Sequence, residues 1–404
     1  YYEEILKKSE LIFKNNKYLI QNYQRYPISI VKGAGSWVYD SKGKKYLDFT
    51  SGIAVNNLGH NNKKINSSII SQLKKITHVS NLFLIEEQID FAKELIKSKP
   101  GYKAFFCNSG TEANEAAIKL ARKWGIFNGK KKVIISVSGA FHGRTLGSLS
   151  ATSPNKYRQG FYPLVPGFKS VEFNNINKIE EVVRKNKNIA AIILEPIQGE
   201  AGVKFAEKSY LNKIQNICRR NKILLILDEI QVGLGRTGKL YCHEHFNLKP
   251  DIICLAKGLG GGLPCGAILA NSKIADFLTP GSHGTTMGGN PLSMSAGLAY
   301  LSQINKKSFL KEIDKKGKYF LDELKKIEKH NAVREVRGLG LILAVEFYSD
   351  KVAKQFSQLC IKKGLLVILT EKFNIRILPP LNVKLTEIRK SIEIFNSVFE
   401  EINE

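Results

Sequence analysis

The chain has 404 residues, with 62 Lys and Arg against 36 Asp and Glu and a net charge of +26. That length exceeds one simple core and implies about two domains. No apolar stretch approaches the roughly 20 residues that span a bilayer, so no membrane partner is expected. The positive excess raises nucleic acid as a partner, and a basic nucleic-acid-binding protein is the alternative from another functional class. The lysines are scattered through KKSE, NNKK, GKKK, RKNKN and KKGK, however, and form no block. No nucleic-acid partner is therefore expected, and a basic surface would instead help attract dicarboxylates. Six cysteines without a C-x-x-C pair fit a reduced, intracellular chain. The start, YYEEILKKSE, lacks a basic-then-apolar signal pattern, and a cytoplasmic location is expected. An organelle matrix is the alternative if a transit peptide has been removed ahead of this numbering.

The first 50 residues read as a helix followed by strand-like pieces at SWVYD and KKYLDF. From there, apolar runs alternate with helical patterns. AFFC (104–107), VIISV (133–137), IAAIIL (189–194), ILLIL (223–227) and IICL (252–255) read as strands buried on both faces. The clearest helix covers 111–127, with Ala113, Ala116, Ala117, Leu120, Ala121 and Trp124 on one stripe. Ser109 and Glu112 have capping-box spacing at its start, and Asn128-Gly129 can end it. Such alternation predicts an α/β fold with a mostly parallel sheet. After about residue 291 the pattern changes to long helices (291–305, 308–330), short strands near 332–348 and 374–378, and a last helix from about 384. The expected division is a large domain at 51–290 and a smaller α+β domain built from 1–50 and 291–404.

The chemically suggestive residues fall at the C-terminal ends of the apolar runs. Asn108 and Ser109 follow AFFC, Glu195 follows IAAIIL, Asp228 follows ILLIL, and Lys257 follows IICLA. Ligands of open α/β sheets bind at that edge. A lysine held there can lose its proton and become a nucleophile. Asp228 could partner a pyridinium nitrogen, and the two are the minimum equipment for pyridoxal phosphate chemistry. Asn108-Ser109-Gly110-Thr111-Glu112 joins a strand to a helix whose free N–H groups could hold a phosphate; an ordinary capped turn is the alternative. Phe141 could lie on a cofactor ring and Arg144 could hold a carboxylate, against a core Phe and a surface Arg.

Two patterns mislead. Gly233 to Lys239 matches G-x-x-x-x-G-K, but Leu240 stands where Mg²⁺ binding needs Ser or Thr. Gly33-Ala-Gly35 and Gly338-Leu-Gly340 start a dinucleotide fingerprint without its third glycine. Cys242-His243-Glu244-His245 has no second ligand cluster, and no metal is expected.

Together SGTEANE, FHGRT, LEPIQGEAGV, LDEIQVGLGRTG, AKGLGGGLP, HGTTMGGNP and IRILPPL resemble, in order, the class III (ornithine/acetylornithine type) aminotransferases of the fold-type I pyridoxal phosphate enzymes. The resemblance covers nearly the whole chain. It implies that Lys257 anchors the cofactor covalently, Asp228 bonds the pyridine nitrogen, Gln231 sits near the phenolic oxygen and Phe141 stacks on the ring. Ser109, Gly110 and Thr111 would hold the phosphate, with Thr286 reaching it from the neighbouring subunit of a homodimer. Arg144 would bind the substrate carboxylate far from the reacting carbon. Arg376 would bind the α-carboxylate of glutamate or 2-oxoglutarate, Glu200 would pair with Arg376 in turn, and Thr285 would contact the donor. The implied reaction moves the terminal amine of N2-acetylornithine to 2-oxoglutarate, in arginine biosynthesis; succinyl-diaminopimelate is a further donor. Ornithine δ-aminotransferase, or another ω-aminotransferase, is the alternative. Gly52, where the ornithine group carries tyrosine, favours the acetylated donor by leaving room, against a glycine needed only for its backbone angles. Asn62-Lys63 in place of His-Pro, and Met287 in place of an aromatic, depart from the family pattern.

Overall fold

A computed structural model describes residues 2–129, 131–153 and 155–403. Its centre is a seven-stranded sheet in the order Tyr102–Cys107, Gly266–Asn271, Ile252–Leu255, Leu224–Asp228, Ile189–Leu194, Val133–Val137, Phe168–Val171. Neighbours from Ile252–Leu255 to Phe168–Val171 pair in parallel. Gly266–Asn271 runs antiparallel to both its neighbours. The sheet is therefore mostly parallel, with one reversed strand that the apolar pattern did not separate. The two strands most central to the site, Ile189–Leu194 and Leu224–Asp228, are buried at every residue. Tyr102–Cys107 is an outer strand and is fully buried only in its last two residues. The expectation of full burial fails there, because an edge strand has no neighbouring strand on its outer side.

Helices cover both faces of this sheet. The Gly110–Phe127 helix packs its alanine stripe on one face, where Ala113, Ala117 and Ala121 meet Ile193 and Ile226. Small side chains let the helix lie close. Ile176–Lys185 and Lys208–Asn221 pack on the other face, through Ile179, Val183, Leu211 and Ile214.

The N- and C-terminal parts interlock. The Lys45–Asp48 strand pairs in parallel with Leu365–Leu366, and Ser36 and Trp37 both donate to the Glu387 carboxylate, each at 2.9 Å. A second four-stranded sheet, Val333–Leu339, Ile342–Phe347, Asn374–Ile377 and Ile368–Thr370, is antiparallel throughout. Arg236 explains why the G-x-x-x-x-G-K run sits where it does. Its guanidinium is buried and donates to the carbonyls of Leu341 and Pro379 and to Asn57. That loop is a cross-link between the central sheet and the C-terminal segment.

Candidate active site

The C-terminal edge of the parallel strands opens into a cavity of about 470 Å³. Register explains why the chemistry gathers there. Leu194 lies opposite Leu227 and Asp228 lies opposite Cys254, so the residues that end each strand emerge side by side. Glu195, Asp228 and Lys257 all face the cavity, as do Ser109, Gly110 and Thr111 at the helix start.

Asp228 is buried and both its carboxylate oxygens are held. One oxygen accepts from Asn114 Nδ2 and His142 Nδ1, both at 2.8 Å, and the other from the Ile230 N–H at 3.0 Å. A buried carboxylate without such donors would be costly. Lys257 sits in a left-handed turn (φ 52°), one residue beyond the Ile252–Leu255 strand. Burial, and then the nearby Arg376 cation, lower its amine from the usual 10.5 to about 8, despite Glu200, Asp228 and Glu195.

Opposite the sheet edge, Arg376 lies mid-strand in Asn374–Ile377 and is buried. Its Nη1 donates to Glu200 Oε1 at 2.7 Å and to Gln231 Oε1 at 3.0 Å. Burial alone would raise the Glu200 carboxyl, but Arg376 and Lys257 outweigh it and hold Glu200 below the usual range. Arg144 is exposed at the mouth, its guanidinium 4.2 Å from the Tyr157 ring and 5.4 Å from Phe141. The Phe141 ring also meets Tyr157 edge-on.

The helix start is built as the sequence implied, with one difference. Ser109 Oγ accepts from the Glu112 N–H, and the Glu112 carboxylate accepts from the Asn108 N–H at 2.8 Å and the Ser109 hydroxyl at 2.9 Å rather than from the cap residue's own N–H. The first N–H groups of a helix have no carbonyl behind them, and Gly110 and Thr111 line the cavity. Thr285 Oγ1 accepts from Asn108 Nδ2 at 3.1 Å, next to the cavity. Thr286 is exposed, and neither threonine nor Gly52 lines the cavity of its own chain.

This donor set suits pyridoxal phosphate. The helix N-terminus could hold its phosphate, the Phe141 face its ring, the anchored Asp228 carboxylate its pyridine nitrogen, and Lys257 its aldehyde carbon. Gly110 fits a crowded turn: a Cβ there would lie 2.8 Å from Ile230. Asn114, His142 and Glu195 were given no role from sequence. The signal was present for Asn114, a polar residue inside an alanine stripe, and for Glu195, a carboxylate ending a wholly apolar strand.

A family model described as aminotransferase class-III matches residues 18–399. An acetylornithine aminotransferase of Caldanaerobacter subterraneus is 46% identical over 395 residues, covering 97% of this chain and 100% of that protein. Among solved structures, the ornithine aminotransferase of Toxoplasma gondii matches with a TM-score of 0.94 at 30% identity, over 100% of this chain and 98% of that one. A second structure of that enzyme shows partial occupancy of PLP at its active site. The acetylornithine aminotransferase of Elizabethkingia anophelis matches with a TM-score of 0.87 at 32% identity, over 98% and 99% of the two chains.

Proposed function

The chain belongs to the class III aminotransferases, pyridoxal phosphate enzymes, and we propose that it transfers the terminal amine of N2-acetylornithine to 2-oxoglutarate, in arginine biosynthesis. The observation that carries this reading is the Glu200–Arg376 pair at 2.7 Å, with Arg144 held apart from it at the mouth. Such a site can take two unlike donors in turn. Curated relatives named acetylornithine aminotransferase, at 43–46% identity, support the choice.

Pyridoxal phosphate, when bound, supplies an electron sink for the substrate carbon. The protein's part is positioning and proton transfer. Lys257 offers an amine lowered to about 8, with a far larger neutral fraction at neutral pH than an exposed lysine, first as the cofactor's anchor and then as the base that moves a proton at the substrate carbon. Asp228, fixed by Asn114 and His142, presents its carboxylate to the pyridine nitrogen, and Gln231 stands near the phenolic oxygen. Phe141 covers the ring. Ser109, Gly110 and Thr111 hold the phosphate, joined by Thr286 of the partner subunit in a homodimer. Arg144 takes the distant carboxylate of acetylornithine, with Thr285 contacting the donor. With Glu200 on Arg376, that cation is neutralised while the terminal amine enters. When glutamate enters, Glu200 withdraws and Arg376 takes the α-carboxylate. We place the enzyme in the cytoplasm. We take 51–290 as the cofactor-binding domain and 1–50 with 291–404 as the smaller one, a division supported by the pairing of Lys45–Asp48 with Leu365–Leu366.

Donor-dependent bleaching of the cofactor's visible band tests the reading. Acetylornithine is expected to bleach it faster than ornithine, succinyl-diaminopimelate or GABA. Much faster bleaching by ornithine would reassign the enzyme to the ornithine group, and a protein that never turns yellow with cofactor would end the enzyme reading.

A further inference from the structure

Glu195 faces the same cavity, is buried, and has no part in the chemistry described above. Its two carboxylate oxygens are divided between two loops. One accepts the Phe141 N–H at 3.0 Å and the other accepts the Gly199 N–H at 3.2 Å. The first loop carries the ring-covering Phe141. The second carries Glu200, the partner of Arg376. Gly199 is also the surface against which Gln231 rests, since a Cβ there would lie 2.2 Å from Gln231 Oε1. Gln231 Oε1 in turn accepts from Arg376.

The far end of the same loop is held independently. Arg337, buried, donates through Nε and Nη2 to the Gly202 carbonyl at 2.9 and 2.6 Å, and through Nη2 to Asn374 Oδ1 at 2.6 Å. Asn374 begins the strand that carries Arg376. Glu200 therefore lies on a short span fixed at both ends, at Gly199 by a carboxylate of the central sheet and at Gly202 by a guanidinium of the second sheet.

We propose that Glu195 is a positioning residue for donor exchange: by bridging the Phe141 and Gly199 N–H groups it fixes the near end of the Glu200 span and so holds Glu200 on Arg376. This rests on the two-donor reading of that pair. A carboxylate suits the task because both its oxygens only accept, and both loops present donors. An amide in its place keeps the shape but turns an N–H₂ toward one of the N–H groups. Burial, and then the neighbouring Asp228 charge, raise the Glu195 carboxyl to about 7, against His142 and the two N–H groups. The two N–H groups thus partly offset what burial, first, and the Asp228 charge, second, do to its charged form.

The test uses the holoenzyme with Glu195→Gln and, beside it, Glu200→Ala. In Glu195→Gln, amide exchange at Phe141 and at Gly199 is expected to rise about tenfold, a local loosening. Single-turnover efficiency should shift toward glutamate and away from acetylornithine by about fivefold or more, the low end of ordinary coupling between sites. Unchanged exchange at both amides, or an unchanged donor ratio, overturns the proposal. So does an equal donor shift from Gln198→Ala, which removes only the neighbouring Gln198–Ser138 bond of 2.8 Å between the same loops. If the glutamine variant does not fold, Glu195→Asp, too short to bridge, must give the same two shifts. Glu200→Ala separates the two ideas: an unchanged donor ratio there sinks the exchange role of Glu200 and Arg376, whereas a shift there with none in Glu195→Gln sinks only the role of Glu195.

Discussion

An exposed lysine is protonated at neutral pH, and a protonated amine is no nucleophile. Lys257 escapes this because burial and Arg376 bring its amine down from 10.5 to about 8. That change raises the neutral fraction at neutral pH by on the order of a hundredfold. The sign sets a pH dependence. In the apoprotein the reactive amine grows as pH rises, so the rate of cofactor uptake, followed by absorbance, should climb through about pH 8 and level above it. A midpoint close to 10.5 would show that the burial argument is wrong. Lys257 and Asp228 were legible in the sequence because each ends an apolar strand. Their supports were not, since Asn114 and His142 reach Asp228 across 114 and 86 residues of chain, and no local pattern carries such a contact. Gly52 shows the opposite difficulty. Its φ of 61° looks like a reason for glycine, yet Ser51, Ile53 and Ala54 share the left-handed region without being glycine. A Cβ at Gly52 would find its nearest neighbour, Asn56 Nδ2, at 3.5 Å. Backbone angle alone therefore does not demand glycine there.

At the scale of elements, the strands at 133–137, 189–194 and 252–255 were readable to the residue, because a strand buried on both faces is a continuous apolar run. Gly266–Asn271 (GAILAN) was not. It opens with glycine and closes with asparagine, and its reversed direction comes from its neighbours rather than from its own residues. The departure from His-Pro at Asn62-Lys63 resolves into helix capping. Asn62 Oδ1 accepts from the N–H groups of Lys64 and Ile65, each at 3.1 Å, at the start of the Lys63–Leu73 helix. Asparagine thus does the work of a cap, and Asn62→Ala should cost about 1 kcal/mol. Lys63 occupies the first helical position, where proline is best tolerated. Asn62 has an extended backbone (φ −67°, ψ 116°), which suits a residue before proline. Lys63→Pro should therefore stabilise the protein by about 0.4–1 kcal/mol by restricting the unfolded chain. Denaturant midpoints of the two variants should move in opposite directions, and a destabilised Lys63→Pro would refute the capping account.

At the scale of the molecule, one surface is too apolar to face water. Leu82, Phe83 and Leu84 are 90%, 65% and 91% exposed, and Met287 is 51% exposed. These are not scattered. Asn81 ties the first group to the second by donating to the Thr285 carbonyl at 3.2 Å and the Gly288 carbonyl at 2.9 Å. Contiguous exposed apolar side chains mark an interaction surface. This one adjoins Thr286, which does not line its own cavity. A two-fold partner seated here would cover the leucines and carry Thr286 toward the other subunit's phosphate site. Assembly and cofactor affinity are then coupled, and two variants separate them. Leu82→Glu with Leu84→Glu should run at the mass of one chain, 45.3 kDa, instead of twice that in sedimentation. It should also bind pyridoxal phosphate about tenfold or more weakly, the loss of one charged hydrogen bond. Thr286→Ala should weaken the cofactor to a similar degree while leaving the mass doubled. A charged double variant that stays dimeric with full cofactor affinity would place the partner elsewhere, and full affinity in a true monomer would remove Thr286 from the phosphate site.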